Sequence, residues 1–372
     1  MVKRALASTH AADCPLRLLA SDGGFIQLGM QAGEAFAETL GCKGLKEDNM
    51  KTLHCLVVTV LLTAIAGGQA QAQGYPNKPV RIIIDSAPGS TVDVVTRVFA
   101  DKLGEFVGAQ LVTVNQPGGG GSIAARLAAT SPPDGYTLYS PAASVFATLP
   151  GAAPNLPLHL PRDFLPIGFV SEQPMFIAAT AESGITSLAE LIALAKSHPG
   201  EVAYAVTGRG RITHLTGELL QSRTGIKLLN VPYTGGPAQA LNDALGGRIS
   251  IVIEGFPGIA SAVQGGALKP IAVASRARLA EFPNLPTVAE TIPDFFASGW
   301  QLLVAPLGVP ADVVPKLSPE LRKTADDGDV RRKLAPLGGY PRAMSPEETV
   351  AFVEAEQKRW QPILDQIAQQ PQ

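Results

Sequence analysis

Cysteine is almost missing from this chain of 372 residues: its three cysteines, Cys14, Cys42 and Cys55, all lie at or before position 55. The rest of the protein can therefore form no disulfide and no thiolate metal site. Histidine is nearly as scarce, with only His159, His198 and His214 beyond the first 55 residues. No HExxH or other paired-histidine spacing occurs, so a histidine metal site is not expected, and no cofactor is called for. The net charge is −2 and the pI about 6.2, which leaves no electrostatic footprint for nucleic acid. The apolar run over residues 53–66 falls well short of the ~20 residues that span a bilayer. Internal repeats of solenoid length are not evident. Hydrophobic residues make up 46% and charged residues 17%, the balance of a folded globule and not of a disordered chain.

What is present begins with a leader in an unusual place. From Met50 the chain reads MKTLHCLVVTVLLTAIAGGQAQAQGYP: Lys51 gives a positive start, the apolar stretch follows, and Ala70-Gln71-Ala72 forms a small-x-small cleavage site. That order is the grammar of a secretory signal peptide. Cys55 stands at the front of the apolar run, whereas a lipid-modified cysteine would follow it. The expectation is an exported protein whose mature form starts near Gln73. Residues 1–49 are read as an upstream extension from a start assigned too early, against the alternative of a real amino-terminal segment. An exported protein without disulfides suits a bacterial periplasm.

The mature part, about 300 residues, is long enough for two α/β domains. Its pattern is strand, turn, helix, repeated. Residues 80–84 form a continuous apolar run, as expected of a strand buried on both faces. Residues 111–114, 136–140, 167–170, 202–206, 228–231, 249–253 and 271–274 read as further short strands. Helical spacing runs through Val94, Val95, Val98, Phe99 and Leu103, and another helix begins at Ser122. Ser187 to Glu190 is a capping box, the helix from Asp243 ends at Gly246-Gly247, and Ser345-Pro346-Glu347-Glu348 opens the last long helix. Such alternation predicts parallel sheets with right-handed crossovers.

Three turns place glycine and hydroxyl residues between a strand and a helix: Pro88-Gly89-Ser90-Thr91, Gly118 to Ser122, and Thr207-Gly208-Arg209-Gly210-Arg211-Ile212-Thr213-His214. The free N–H groups and the positive dipole end of a helix start favour an anion there. One such turn says little, because every α/β protein has several; three matter only if the fold brings them to one cleft. Catalytic readings are poorer. Gly120-Gly121-Ser122 resembles a nucleophile elbow without its second glycine. His159 and His198 sit beside prolines in loops, and a lone His214 opening a helix is more often structural than a base.

Together these residues resemble the substrate-binding proteins of tripartite tricarboxylate transporters, the Bug family of periplasmic solute receptors. The likeness runs from Tyr75-Pro76 to about Trp360. It rests on YPNKPVRIII, APGSTVDVVTR with Gly89, Asp93 and Arg97, NQPGGGGSIAA, SPPDGYTL, GRITHLTGELL, VPYTGGPAQALNDALGGRI, FPNLPTVAE and SGWQLLVAPLGVP, in that order. The resemblance implies a type II periplasmic-binding-protein fold, two α/β lobes with a ligand cleft between them. Residues 73–174 with 300–372 would form lobe 1, and 175–299 lobe 2. It implies a small organic carboxylate as ligand, held at Gly89, Ser90, Thr91 and Asp93 of the first lobe and at Thr207, Gly208, Thr213, His214 and Glu254 of the second. Asp93 is expected to orient its loop by accepting backbone N–H bonds.

The chain departs from the family pattern at three places. Ser90 stands where the first loop of the family has its second glycine. Asp85 and Ser86 replace an apolar or proline pair, and Arg209 and Arg211 replace the usual Asn and Ser of the second-lobe loop. An arginine fork can bind a carboxylate in two places; the plainer alternative is that both arginines face solvent or pair with acidic neighbours such as Glu254. The function these observations imply is a monomeric periplasmic receptor that delivers its ligand to the permease subunits of a tripartite transporter, and not an enzyme. The competing readings are a ligand-sensing accessory of a membrane kinase, and a hydrolase using Ser122 and His214.

Overall fold

The computed structural model describes residues 74–147, 159–233 and 237–369. The leader at 50–72 and the segment 1–49 lie outside the described residues. Among the described residues ten strands form one continuous sheet: β1 (Val80–Ile84), β2 (Leu111–Asn115), β3 (Thr137–Ser140), β4 (Phe164–Thr180), β5 (Ala203–Val206), β6 (Leu229–Pro232), β7 (Ile251–Gly255), β8 (Leu268–Val273), β9 (Ser298–Pro306) and β10 (Tyr340–Pro341). Helices α1 (Thr91–Val107), α2 (Ser122–Ala129) and α3 (Ala143–Ala147) follow β1, β2 and β3. Next come α4 (Leu188–Ser197), α5 (Ile212–Thr224), α6 (Pro237–Leu245) and α7 (Phe256–Gln264), and the chain ends in α8 (Val313–Asp326), α9 (Gly328–Leu334) and α10 (Pro346–Ala368).

The sheet contains the same strand order twice. In one half β2, β1 and β3 lie parallel, then β9 enters antiparallel and β4 follows. In the other half β6, β5 and β7 lie parallel, then β4 enters antiparallel and β8 follows. Strand β4 serves both halves. Residues 164–174 pair with β9, and from Met175 onward the strand pairs with β7 and β8. Pro174, which has no N–H to give a ladder, sits where the partner changes.

The expectation of parallel sheets holds for β2-β1-β3 and for β6-β5-β7 and is corrected where β4, β8 and β9 pair antiparallel. The strands that carry the chain from one half to the other run against the parallel set, because an extended crossing strand enters its new neighbours from the opposite end. Strand β9 is a strand not expected from the alternation, lying within the SGWQLLVAPLGVP string, and β4 is far longer than the expected 167–170.

Local signals set the remaining boundaries. Ile82, Ile83 and Ile84 of β1 are fully buried, each worth roughly 1.5–3 kcal/mol of burial. Helix α1 starts where the Ser90 hydroxyl accepts the Asp93 N–H and stops at Gly108, whose φ of 71° gives the left-handed cap. Ser345 and Glu348 form the capping box of α10, with Pro346 at its first position. Helix α10 packs on β4, α3 and α5. Its Glu356 accepts the indole N–H of both Trp300 and Trp360, at 3.2 Å each.

Candidate functional site

The parallel strands of both half-sheets end at one cavity of about 460 Å³, within the ordinary range for small-molecule sites. The turn after β1 supplies Asp85, Ser86, Ser90 and Thr91, and the turn after β2 supplies Gly118 to Gly121. The turn after β5 brings Thr207, Gly208, Arg209, Arg211 and Thr213, and the end of β7 brings Glu254. The crossing strands β4 and β9 close the floor with Gln173, Met175, Trp300 and Gln301. All three glycine–hydroxyl turns singled out in the sequence therefore meet in one place. This is the general location of ligands in open α/β sheets, outside the carboxyl ends of the strands.

Arg211 is the N-cap residue of α5, yet its side chain does not cap the helix. It crosses the cavity instead. Its Nη1 lies 2.9 Å from Asp85 Oδ2 and 3.3 Å from the Gly120 carbonyl, and its Nη2 donates to the Ser86 hydroxyl. The pair is deeply buried, the Arg211 side chain 8% exposed and Asp85 0%. Burial acts against the charge on Arg211, but the charge and hydrogen bond of Asp85 prevail and hold its pKa above the usual arginine value. Asp85 is further fixed by the Ala142 N–H at 3.2 Å and the Ser86 hydroxyl at 3.0 Å. Gly121 makes room for the pair: at its φ of +107°, a Cβ would stand 2.8 Å from Asp85 Oδ2 and 3.3 Å from Arg211 Nη1.

A second tie joins the two sides. The Thr91 hydroxyl, on the first residue of α1, lies 2.9 Å from Glu254 Oε1 and 3.2 Å from the Gly255 carbonyl, both acceptors at the end of β7. Glu254 Oε1 also accepts the Gly255 N–H at 3.0 Å, whereas Oε2 has no hydrogen-bond partner among the described residues. Burial pushes the Glu254 carboxyl above its ordinary value, opposed by those two hydrogen bonds and by the charge of Arg211.

Of the sequence-predicted site residues, Ser90, Thr91, Thr207, Gly208, Arg209, Arg211, Thr213 and Glu254 line the cavity, and Gly89, Asp93 and His214 stand behind its wall. Asp93 Oδ2 accepts the Gly89 N–H at 2.9 Å, and its Oδ1 takes Arg97 and Asn115, so it shapes the turn. Burial would raise its pKa, but these donors and the Arg97 charge hold it below the usual aspartate range. His214 Nδ1 accepts the Gly210 N–H at 3.1 Å, and its Nε2 lies 3.5 Å from Glu218. That ring fixes the 207–210 turn, and no hydrogen bond joins it to Ser122 among the described residues. The Thr207 N–H and hydroxyl both meet the Thr213 hydroxyl at 3.1 Å. Arg209 is exposed and makes no ion pair or hydrogen bond among the described residues.

Sequence reasoning missed Asp85, Ser86, Gln173 and Gln301 as site residues. A signal existed for each. An acid directly after a buried apolar strand needs a counter-charge, and an amide inside an apolar strand, as in EQPMF or WQLLV, needs a reason.

Two half-sheets of equal strand order, joined by crossing strands around a cavity at their carboxyl ends, define a solute receptor of the periplasmic-binding-protein type. Comparison with known proteins narrows the class. The family model described as tripartite tricarboxylate transporter family receptor matches residues 95–369. Protein BugT of Bordetella pertussis is 33% identical over 85% of this chain and 97% of its own. The periplasmic binding protein BugD superposes with a TM-score of 0.73 at 30% identity, over 80% of this chain and 100% of that one. A protein of R. palustris solved with adipate gives 0.72 at 30% identity, over 78% and 97%. The chain belongs to the tripartite tricarboxylate transporter receptor family.

Proposed function

We propose that the protein captures a small organic carboxylate in this cavity and presents it to the membrane subunits of a tripartite transporter. The observation that carries this reading is Arg209, a cation without a partner among the described residues, at a cavity where three helix-initiating turns converge. Helix α5 begins there without a side-chain cap, so its first N–H groups can receive an anion. The relative solved with adipate supports the ligand class. The test is thermal unfolding of the purified protein against mono-, di- and tricarboxylic acids. An acid at 100 times its Kd should stabilise the fold by about 2.7 kcal/mol. If no acid in the panel shifts the transition, the reading fails.

Residues 73–174 with 300–372 act as one lobe and 175–299 as the other, a division supported by the change of β4 pairing at Pro174. Ligand contacts from both sides favour closure, so small-angle scattering should show a smaller radius of gyration with a saturating acid. The protein reaches the periplasm through the segment at 50–72 and works as a monomer. No helix among the described residues is long and apolar enough to cross a membrane, which agrees with a receptor that meets its permease from outside. Amino-terminal analysis of periplasmic material should find a start near Gln73.

A further inference from the structure

The floor of the cavity carries polar groups that the binding of one carboxylate at Arg209 would not use. Glu254 Oε2, Gln173 Nε2 and Gln301 Oε1 have no hydrogen-bond partner among the described residues. Their residues are 5%, 2% and 1% exposed, and all three line the cavity. Unpaired buried polar atoms are costly, and native proteins rarely keep them without a purpose.

The three belong to one neighbourhood. In the β4–β9 register Gln301 stands opposite Ser171, so Gln173, two residues on, shares its face. Gln301 Nε2 lies 3.4 Å from the Thr91 carbonyl, and the hydroxyl of the same Thr91 reaches Glu254. Contact with a carbonyl fixes the Gln301 amide, leaving Oε1 as an acceptor toward the cavity. Gln173 Nε2 is a donor. Glu254 Oε1 already accepts two hydrogen bonds, so when the carboxyl is protonated the proton resides on Oε2 and makes it a donor too. Burial favours that neutral form.

Of the two arginines that line the cavity, Arg211 is engaged by Asp85, Ser86 and Gly120, and Arg209 is the partner of the ligand's first carboxylate, so among the described residues a second carboxylate at the floor has no lining cation left. A ligand carboxylate seated there would be a buried charge facing the Gln301 oxygen without a counter-ion. An ammonium would face the Gln173 amide hydrogens. An uncharged group that accepts and donates meets all three atoms, and a carboxamide does so with its oxygen toward Gln173 and Glu254 and its N–H toward Gln301.

Resting on the receptor reading above, we infer that the preferred ligand is a monocarboxylate whose far end is an uncharged carboxamide-like group, bound by Glu254, Gln173 and Gln301, and not a di- or tricarboxylate. Adipate, adipamate and ε-aminocaproate differ only at that end, as do succinate, succinamate and γ-aminobutyrate. Calorimetry on the purified protein should find, in at least one series, the monoamide about tenfold tighter than the diacid and the amino acid, the cost of one unmatched buried polar group. Gln301→Met keeps the bulk and removes the acceptor, so the advantage over the diacid should fall to about threefold or less. A monoamide no tighter than its diacid in both series overturns the inference, as does a preference that survives Gln301→Met. The wild-type comparison decides even if the variant does not fold. If acids in the wider carboxylate panel bind while neither monoamide has an advantage, only this inference fails; if no acid binds at all, the receptor reading fails with it.

Discussion

Replacing Asp85 by asparagine should destabilise the protein sharply although the side chain keeps its size. The new amide oxygen can still accept the Ala142 N–H that Asp85 holds at 3.2 Å, so the first-order change is the charge. Arg211 then remains as a buried cation whose carboxylate partner, now 2.9 Å away, has gone. At a charge separation of ~4 Å and an effective permittivity of ~20, the lost attraction is about 4 kcal/mol. Removing one member of a buried pair costs about 3–5 kcal/mol in comparable cases. Part of this is recoverable, because the Gly120 carbonyl and the Ser86 hydroxyl still accept hydrogen bonds from the guanidinium. The expected loss is therefore near the lower figure, about 3 kcal/mol, out of a total of about 5–15. Urea unfolding should show the midpoint falling by about 1 M for a slope near 3 kcal/mol per M. Arg211→Met should cost a similar amount, and the double variant Asp85→Asn with Arg211→Met should cost about as much as either single change and not their sum, a coupling of about 2–3 kcal/mol. Additivity of the single changes to within about 0.5 kcal/mol would refute the reasoning, since it would mean that each side chain is satisfied without the other.

Arg209→Ala should weaken carboxylate binding about tenfold by calorimetry, the worth of one charge-assisted hydrogen bond, with the unfolding midpoint of the free protein unchanged. Glu254→Gln should gain stability relative to the parent as pH rises. The folded Glu254 pKa lies above the ordinary 4.5, so its contribution is fully present below that value and is lost as pH climbs through the folded pKa, whereas glutamine does not titrate. The two melting temperatures should diverge as pH rises from 4.5 through the folded pKa and differ by a constant amount beyond it, and a difference constant over the whole range would contradict the assignment. Gly217→Ala in α5 should cost about 1–3 kcal/mol, because its Cβ would meet the buried Tyr204 ring at 2.6 Å from Cζ and 2.7 Å from Oη; melting of the purified variant checks it. Gly121→Ala should destabilise more than Gly89→Ala. Both alter a positive-φ glycine, but only the Gly121 Cβ meets Val145 and Asp85, whereas nothing lies within 4 Å of the Gly89 position.

The half-sheets were legible because their strands are short, apolar and bounded by turns. Residues 80–84 are β1 itself, and 111–114 falls within β2 (Leu111–Asn115). The crossing strands were not. β4 holds Pro166, Gly168 and Pro174, each of which reads as a strand breaker in a window of sequence. They are tolerated because the partner strands shift register beside Pro166 and Gly168, and because the sheet changes partners at Pro174. β9 is apolar along almost its whole length, so periodicity could not separate a crossing strand from any other buried segment.

The site divides in the same way. The turns came from the sequence because glycine, serine and threonine before a helix have a local meaning: Ser90 caps α1, and Gly108 ends it, wherever the rest of the chain goes. The family likeness also came from local strings of residues. What the sequence did not contain was the pairing of its own exceptions. Asp85 and Arg211 stand 126 positions apart, and each looked like an isolated departure, with Arg211 free to meet a ligand. Only the folded chain brings strand end to helix start and commits that arginine to that acid. Hydrogen bonds and burial depend on distance in space, and a linear pattern records only distance along the chain. For the same reason the unpaired atoms of Gln173, Gln301 and Glu254, from three separate strands, become one cavity floor only after β4, β7 and β9 lie side by side.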